Sequence, residues 1–263
     1  MTLRDLAARV LLCADIDIKL RPVPGDPPDV RRGSPVRVSE PARPAALRFR
    51  YKRNGPALPR GTALEDRGRR GIAHHILANH ELQAAETMAS VLLAFPAAPP
   101  DFRRELGGIL RDELRHTRMH LARAAACGVR FGDCRVNGHV WLSAAKFRSE
   151  LEYLAVLPLV FEARNLDESV ELAGQFDAAG DARGAAVMRR IHEDEIGHVA
   201  FGLRWLKALG GDANTFDLWC NSLAEPNKPR RSVGRAFLEP PRLAAGMDAA
   251  FLTKLRAAAG VPA

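Results

Sequence analysis

Asp112-Glu113-Leu114-Arg115-His116 and Asp194-Glu195-Ile196-Gly197-His198 are one string written twice: an Asp, a Glu beside it, and a His three residues after the Glu. A helix advances about 100° per residue, so a Glu and a His at i and i+3 share a face and can serve one ion. Two Glu-x-x-His strings, each on its own helix and each joined by a Glu from a further helix, are the sequence mark of a two-metal carboxylate site in a four-helix bundle.

The surrounding pattern supplies the helices. Residues 66–94 read as a first long helix, ended by Pro96, Pro99 and Pro100. Asp101 is a good N-cap for a second, which ends near Cys127-Gly128. Residues 128–146 read as irregular. A third helix covers about 147–176, with Pro158 expected to kink it or split its first turns, and a fourth runs from about 183 to 209, closed by Gly210-Gly211. Short loops join one to two and three to four, and the longer stretch between two and three can run back along a bundle. The expected fold is therefore all-α: a ferritin-like four-helix bundle of two antiparallel hairpins with a long crossover.

On these helices the motif acids interrupt apolar stripes. The second helix reads Phe102, Leu106, Ile109, then Glu113, His116, His120. The fourth reads Val187, Ile191, then Glu195, His198, then Gly202, Trp205, Leu209. The third reads Leu151, Ala155, Leu159, then Glu162, then Leu166, Val170. The first offers Glu81, in line with Leu77, Ala84 and Met88, and Glu86, which lies about 140° away round the helix. A lone carboxylate in a buried stripe costs several kcal/mol or shifts its pKa, and a shared pair of divalent cations removes that cost.

The spacings agree. Glu81 to Glu113 is 32 residues and Glu162 to Glu195 is 33, with midpoints in the proline and glycine loops of the two hairpins. Six ligands follow: Glu81, Glu113, His116, Glu162, Glu195 and His198. That donor set suits two iron ions, an Fe/Mn pair or manganese better than zinc. Asp112 and Asp194 are candidates to orient the ligand imidazoles, with Arg115 balancing one such acid. His74, His120, His192 and Glu86 are candidates for a pocket beside the metals.

Composition sets the rest. The chain has 263 residues, long enough for one large domain or a domain with extensions: 1–64 as an N-terminal helix and Pro/Arg-rich arm, 65–211 as the bundle, 212–263 as a helical C-terminal extension. Thr2 to about Ile16 reads as an amphipathic helix. Residues 21–63 cannot be regular helix because of their prolines, and form either a linker or an arm laid over the domain. In the last segment, helical pieces are expected at Phe216–Leu223 and Met247–Ala259, on either side of a Pro/Arg-rich stretch from Pro226 to Pro241. Cys13, Cys127, Cys134 and Cys220 form no C-x-x-C pair and read as reduced thiols, which with the absence of a signal-peptide pattern points to the cytoplasm. No apolar run reaches the length of a membrane span. The net charge is +8, and residues 1–75 hold all of the excess, with 16 Lys+Arg against 8 Asp+Glu. Such a segment can meet nucleic acid, but beyond Phe49 and Tyr51 no aromatic ladder accompanies it.

These residues resemble the ferritin-like superfamily. Asp112-Glu-Leu-Arg-His116 is similar to the corresponding string of bacterial di-iron monooxygenases. His80-Glu-Leu-Gln-Ala-Ala-Glu86, Phe161-Glu-Ala-Arg-Asn-Leu-Asp167 and Asp194-Glu-Ile-Gly-His198 look more specifically like an uncharacterised bacterial ferritin-like family, distantly similar to a tRNA hydroxylase that acts on a modified adenosine. The resemblance covers about 65–260, including Gly234-Arg-Ala-Phe237 and Ala245-Gly246, and the N-terminal arm matches only loosely. It implies the fold and the metal ligands, and no particular substrate. The expected activity is an O2-dependent di-iron oxidase or monooxygenase on a small molecule or modified nucleoside, fed by an external electron donor and working as a monomer or dimer. The alternatives are ferroxidase-type iron handling and tRNA hydroxylation.

Overall fold

Helix α1 (Leu3–Leu12) starts where Thr2 caps it: the Thr2 hydroxyl accepts from Asp5 N and the Asp5 carboxylate accepts from Thr2 N. It is shorter than its apolar pattern predicts, stopping at Cys13, and Asp15 caps a separate turn, α2 (Ile16–Lys19). The computed structural model describes residues 1–30, 32–49, 55–211, 214–223, 225 and 227–261. Tyr51 and Pro226 lie outside them. Every regular element among the described residues is helical, and no helix there is long and apolar enough to cross a membrane. The chain divides into two units, residues 1–145 with 178–183, and residues 146–177 with 184–263.

In the first unit, Asp66 caps α3 (Arg67–Ala94), and α4 (Pro100–Ala126) follows after a five-residue turn. The cap expected at Asp101 is not made: Pro100 occupies the first helical position, where its missing N–H costs nothing, and Asp101 lies inside the first turn. α3 and α4 form an antiparallel hairpin. Arg67 reaches Ala126 O at one end, and Arg103 reaches Leu92 O and Phe95 O at the other. From Ala73 to Ala94, α3 is buried on every side except at His80, and its buried residues include polar and charged ones such as Glu81, Gln83 and Glu86.

The arm is part of what covers α3. Its backbone bonds Leu93 and Leu11 through Val36 and Ala42, and Trp141 donates its ring N–H to Ser39 O at 3.0 Å. Trp141 belongs to α5 (His139–Ala144), a short helix in the stretch expected to be irregular. Its N-terminus is held by a long-range bond from Trp141 N to the Gln83 side chain, which no local pattern announces.

In the second unit, Ser149 caps α6 (Glu150–Val156), which runs through a π-helical segment, Leu157–Glu162, into α7 (Ala163–Ala178). The break falls at Pro158, as expected. A π turn carries one extra residue, so the face that follows is rotated. Ser169, Leu172 and Phe176 are buried, while Val170, expected in the stripe, is 43% exposed. α8 (Ala182–Gly210) lies antiparallel to α7, tied by Asn165–Glu195, Ser169–His192 and Asp177–Arg189. Its buried face runs through Met188, Ile191, Glu195, His198, Gly202 and Leu206, so Val187, Trp205 and Leu209 lie only at its margins. A Cβ on Gly202 would sit 2.4 Å from the Pro158 ring, so this glycine permits the approach of α8 to the π segment.

The tail, α9 (Thr215–Ser222), α10 (Glu239–Ala244) and α11 (Ala249–Ala259), is anchored on these helices. Trp219 donates to Ala155 O and packs with Phe216 and Phe251. Asp167 accepts from Gly234 N, Leu238 N and two nitrogens of Arg242, all within 2.9 Å, and both side chains of this pair are fully buried. Replacing Arg242 by Ala leaves a buried carboxylate with its two backbone donors alone. The expected loss is about 3 kcal/mol, the low end for a broken buried ion pair, read from urea unfolding at pH 7. A loss under about 1 kcal/mol would assign the tail's anchorage to the aromatic contacts instead.

Candidate metal centre

Each unit buries one Glu together with one Glu-x-x-His. In the first, Glu81 of α3 and Glu113 and His116 of α4 place one ligand atom each within 4.8 Å of one another. In the second, Glu162 at the end of the π segment and Glu195 and His198 of α8 do the same. None of the six is more than 6% exposed. The helix pitch brings Nδ1 of His116 to 3.6 Å from Glu113 Oε1, and Nδ1 of His198 to 3.4 Å from Glu195 Oε2. Within each unit, then, the three ligands read from the sequence come together.

The residues packed around them differ between the units. His120, one turn beyond His116, places Nε2 3.6 Å from Glu81 Oε1, and its Nδ1 is 2.9 Å from Nδ1 of His74. Burial lowers the His74 imidazole to about 4, Asp181 opposing the shift and Arg123 adding to it. Burial, with His74, His116 and His80 adding, holds His120 far below its ordinary value. Both rings are therefore neutral, with one Nδ1–H donating to the other ring. In the second unit, Asn165 donates its side-chain N–H to Glu195 Oε1 at 2.9 Å. His192 bonds Ser169 Oγ at 3.0 Å and lines a cleft of about 450 Å3 with Val170, Ala173 and Gly174.

Asp112 and Asp194, expected to orient the imidazoles, form ion pairs along their own helices: Asp112 with Arg115 at 2.7 Å, Asp194 with Arg190 at 2.8 Å. Glu86 is no pocket residue. It is fully buried with Lys19 Nζ at 2.6 Å on one oxygen and Arg43 Nη2 at 2.6 Å on the other, and Arg43 also reaches Asn79. Lys19 is lowered by burial, which the Glu86 charge opposes. The residue before Glu81, His80, borders a cavity of about 510 Å3 whose wall includes Leu58, Ile76, Asn137, His139 and Leu142.

Sequence reasoning passed over Asn165, Lys19 and Arg43. Asn165 stands three residues after Glu162 in a string already singled out, and that spacing was the available signal. The partners of Glu86 lie 43 and 67 residues away, with no periodicity linking them.

Against this geometry the comparisons with known proteins can be read. The profile of a family described as "Protein of unknown function (DUF455)" matches residues 13–253. The chain belongs to the DUF455 family. The family's match begins at residue 13 and so takes in the arm, which the resemblance noted above covered only loosely. An uncharacterized protein of Haemophilus influenzae is 29% identical over 102 residues, a stretch that makes up 38% of this chain and 35% of that protein. No solved structure matches.

Glu81 and Glu86, one and a half turns apart, should respond oppositely to substitution. In chelator-treated protein, Glu86→Ala leaves Lys19 and Arg43 buried without their carboxylate and should cost about 3–5 kcal/mol. Glu81→Gln removes one charge from a crowd of buried acids and should leave the urea midpoint unchanged or raised. Equal losses from the two would mean that Glu81 is a structural acid like its neighbour.

Proposed function

We propose that the chain is a di-iron or iron/manganese carboxylate oxidoreductase with a ferritin-like bundle, carrying out an O2-dependent oxidation or hydroxylation of an organic substrate. The observation that supports it is the pair of buried triads, each with two carboxylates and one imidazole. Carboxylates at this depth are costly unless a cation answers them. Four carboxylates and two imidazoles suit iron or manganese, whereas thiolates would favour zinc. Glu81, Glu113 and His116 would hold one ion and Glu162, Glu195 and His198 the other. The equal hairpin spacings in the sequence support taking the two as halves of one centre.

Bound metal supplies the electrons and the Lewis acidity that activate O2. The chain's own residues do the remainder. Asn165 fixes the direction of Glu195 by holding one of its oxygens. The neutral His120 imidazole stands against Glu81, its Nε2 3.6 Å from Glu81 Oε1. Burial of all six ligands keeps bulk water from them. The cavity beside His80 offers an apolar wall with imidazole and amide groups at its edge, a fit for a substrate of small-molecule size. An external donor would return the electrons.

Metal analysis of protein purified without added metal tests the reading. About two irons per chain are expected, falling to about one or fewer in Glu113→Ala and in Glu195→Ala. Metal-free protein that takes up no iron, together with unchanged stability of Glu113→Ala, would sink it. Ferroxidase-type storage is the competing reading and calls for a many-subunit shell on gel filtration. The arm fastened along α1 and α3 favours a monomer or dimer instead.

A further inference from the structure

Two arginines of the N-terminal segment, Arg9 and Arg21, meet three arginines of α4 in the first unit. On α4, Arg111, Arg115 and Arg118 fall at i, i+4 and i+7, on the side of the helix opposite Glu113, His116 and His120. Residues 21–23, just after α2, pass over this face and leave a cleft of about 280 Å3, whose wall includes Arg21, Arg111, Asp112, Arg115 and Arg118. Arg9 of α1 joins from the side, donating to Arg21 O at 2.8 Å, and Arg118 donates to Leu20 O at 3.0 Å.

The charges here do not balance. Arg111 is paired with Asp26 and Arg115 with Asp112. Arg9, Arg21 and Arg118 have no carboxylate partner among the described residues, so five guanidinium groups face two acids, an excess of three. Arg9 and Arg118 are half-buried. Burial lowers both, Arg9 further by Arg21 and Arg118, and Arg118 further by Arg115, as close like charges require. Guanidinium groups brought together and held in place by backbone carbonyls are arranged to receive an oxyanion through several charge-assisted hydrogen bonds.

We propose that this cleft between residues 21–23 and α4 binds the phosphate group of a small phosphorylated molecule. The volume suits one phosphate and a short organic piece. Pro22, Val23 and Leu114 give the organic part an apolar wall. Two of the uncompensated charges, Arg21 and Arg118, line this one small cleft, and among the described residues no aromatic side chain lines its wall for a base to stack on, which separates the site from a single-strand nucleic-acid groove.

The test is calorimetric titration of the full-length chain with inorganic phosphate at fixed ionic strength, chloride replacing phosphate in the reference. Saturable binding to one site is expected. Arg118→Gln and Arg21→Gln should each weaken it about tenfold or more, equivalent to about 1.4 kcal/mol, while Arg104→Gln, an exposed residue of the same helix paired with Asp101, leaves it unchanged. The Arg21 side chain is exposed, so Arg21→Gln should keep the melting temperature of the parent and remains informative if Arg118→Gln fails to fold. Phosphate binding no tighter than chloride, or equal in the parent and both variants, overturns the proposal. So does the pattern in which a single-stranded RNA binds with steep salt dependence, phosphate does not compete, and both variants lose it, since that would make the face a nucleic-acid surface.

Discussion

A carboxylate taken out of water must be met by a cation or by several hydrogen-bond donors, and much of this structure follows from how its buried acids are met. Glu86 has Lys19 and Arg43, Asp167 has Arg242 and two backbone N–H groups, and Asp181 has Arg123 at 2.6 Å with Arg70 near it. These three are answered within the chain, and each fastens a distant segment: the N-terminal arm, the C-terminal tail, and the turn between α7 and α8. Glu81, Glu113, Glu162 and Glu195 are grouped instead with imidazoles, in sets of three whose ligand atoms lie within 4.8 Å. The first arrangement is architecture, with both charges built in. The second is compatible with a metal site.

The contrast is sharpest along α3. Glu81 and Glu86 stand on one buried helix, five residues and about 140° apart. One faces α4 and its Glu-x-x-His, the other faces the arm. Their chemistry is set by what crosses each face, not by local sequence. Because α3 is enclosed nearly all round, Glu81 is carried on a rigid element whose orientation is fixed independently of any ion. A site held this way is preorganised, and the crowding of its acids is a cost that the rest of the unit must offset.

The hairpins and the ligand triads were legible because both depend on short-range periodicity. Stripes at i, i+3 and i+4 mark the long helices, and an acid or imidazole inside a stripe marks a candidate ligand. Features that depend on distant partners were not legible. Val170 continues the stripe of the third helix on an ideal wheel, yet the extra residue of the π segment turns it outward and brings Ser169 in. Pro158 announced a break but not its kind. The helix at 139–144 depends on Gln83, and the burial of Arg242 on Asp167, which no window of ten or twenty residues contains. Asp101 lost the cap position to Pro99 because the chain enters α4 two residues earlier than the capping preference suggests.

α4 carries two opposed demands on one cylinder. Its inner face presents Glu113, His116 and His120, where negative charge is concentrated and water is excluded. Its outer face presents Arg111, Arg115 and Arg118, where positive charge is concentrated beside the arm. Asp112 and Arg115 lie next to the Glu and His in sequence, yet they belong to this outer face, which explains why they pair with each other. In both strings the Glu and the His, three apart, are buried, whereas the Asp is only partly so. Adjacency along a helix puts neighbours about 100° apart, so the Asp beside each Glu points in a different direction from the Glu and the His, which share one face.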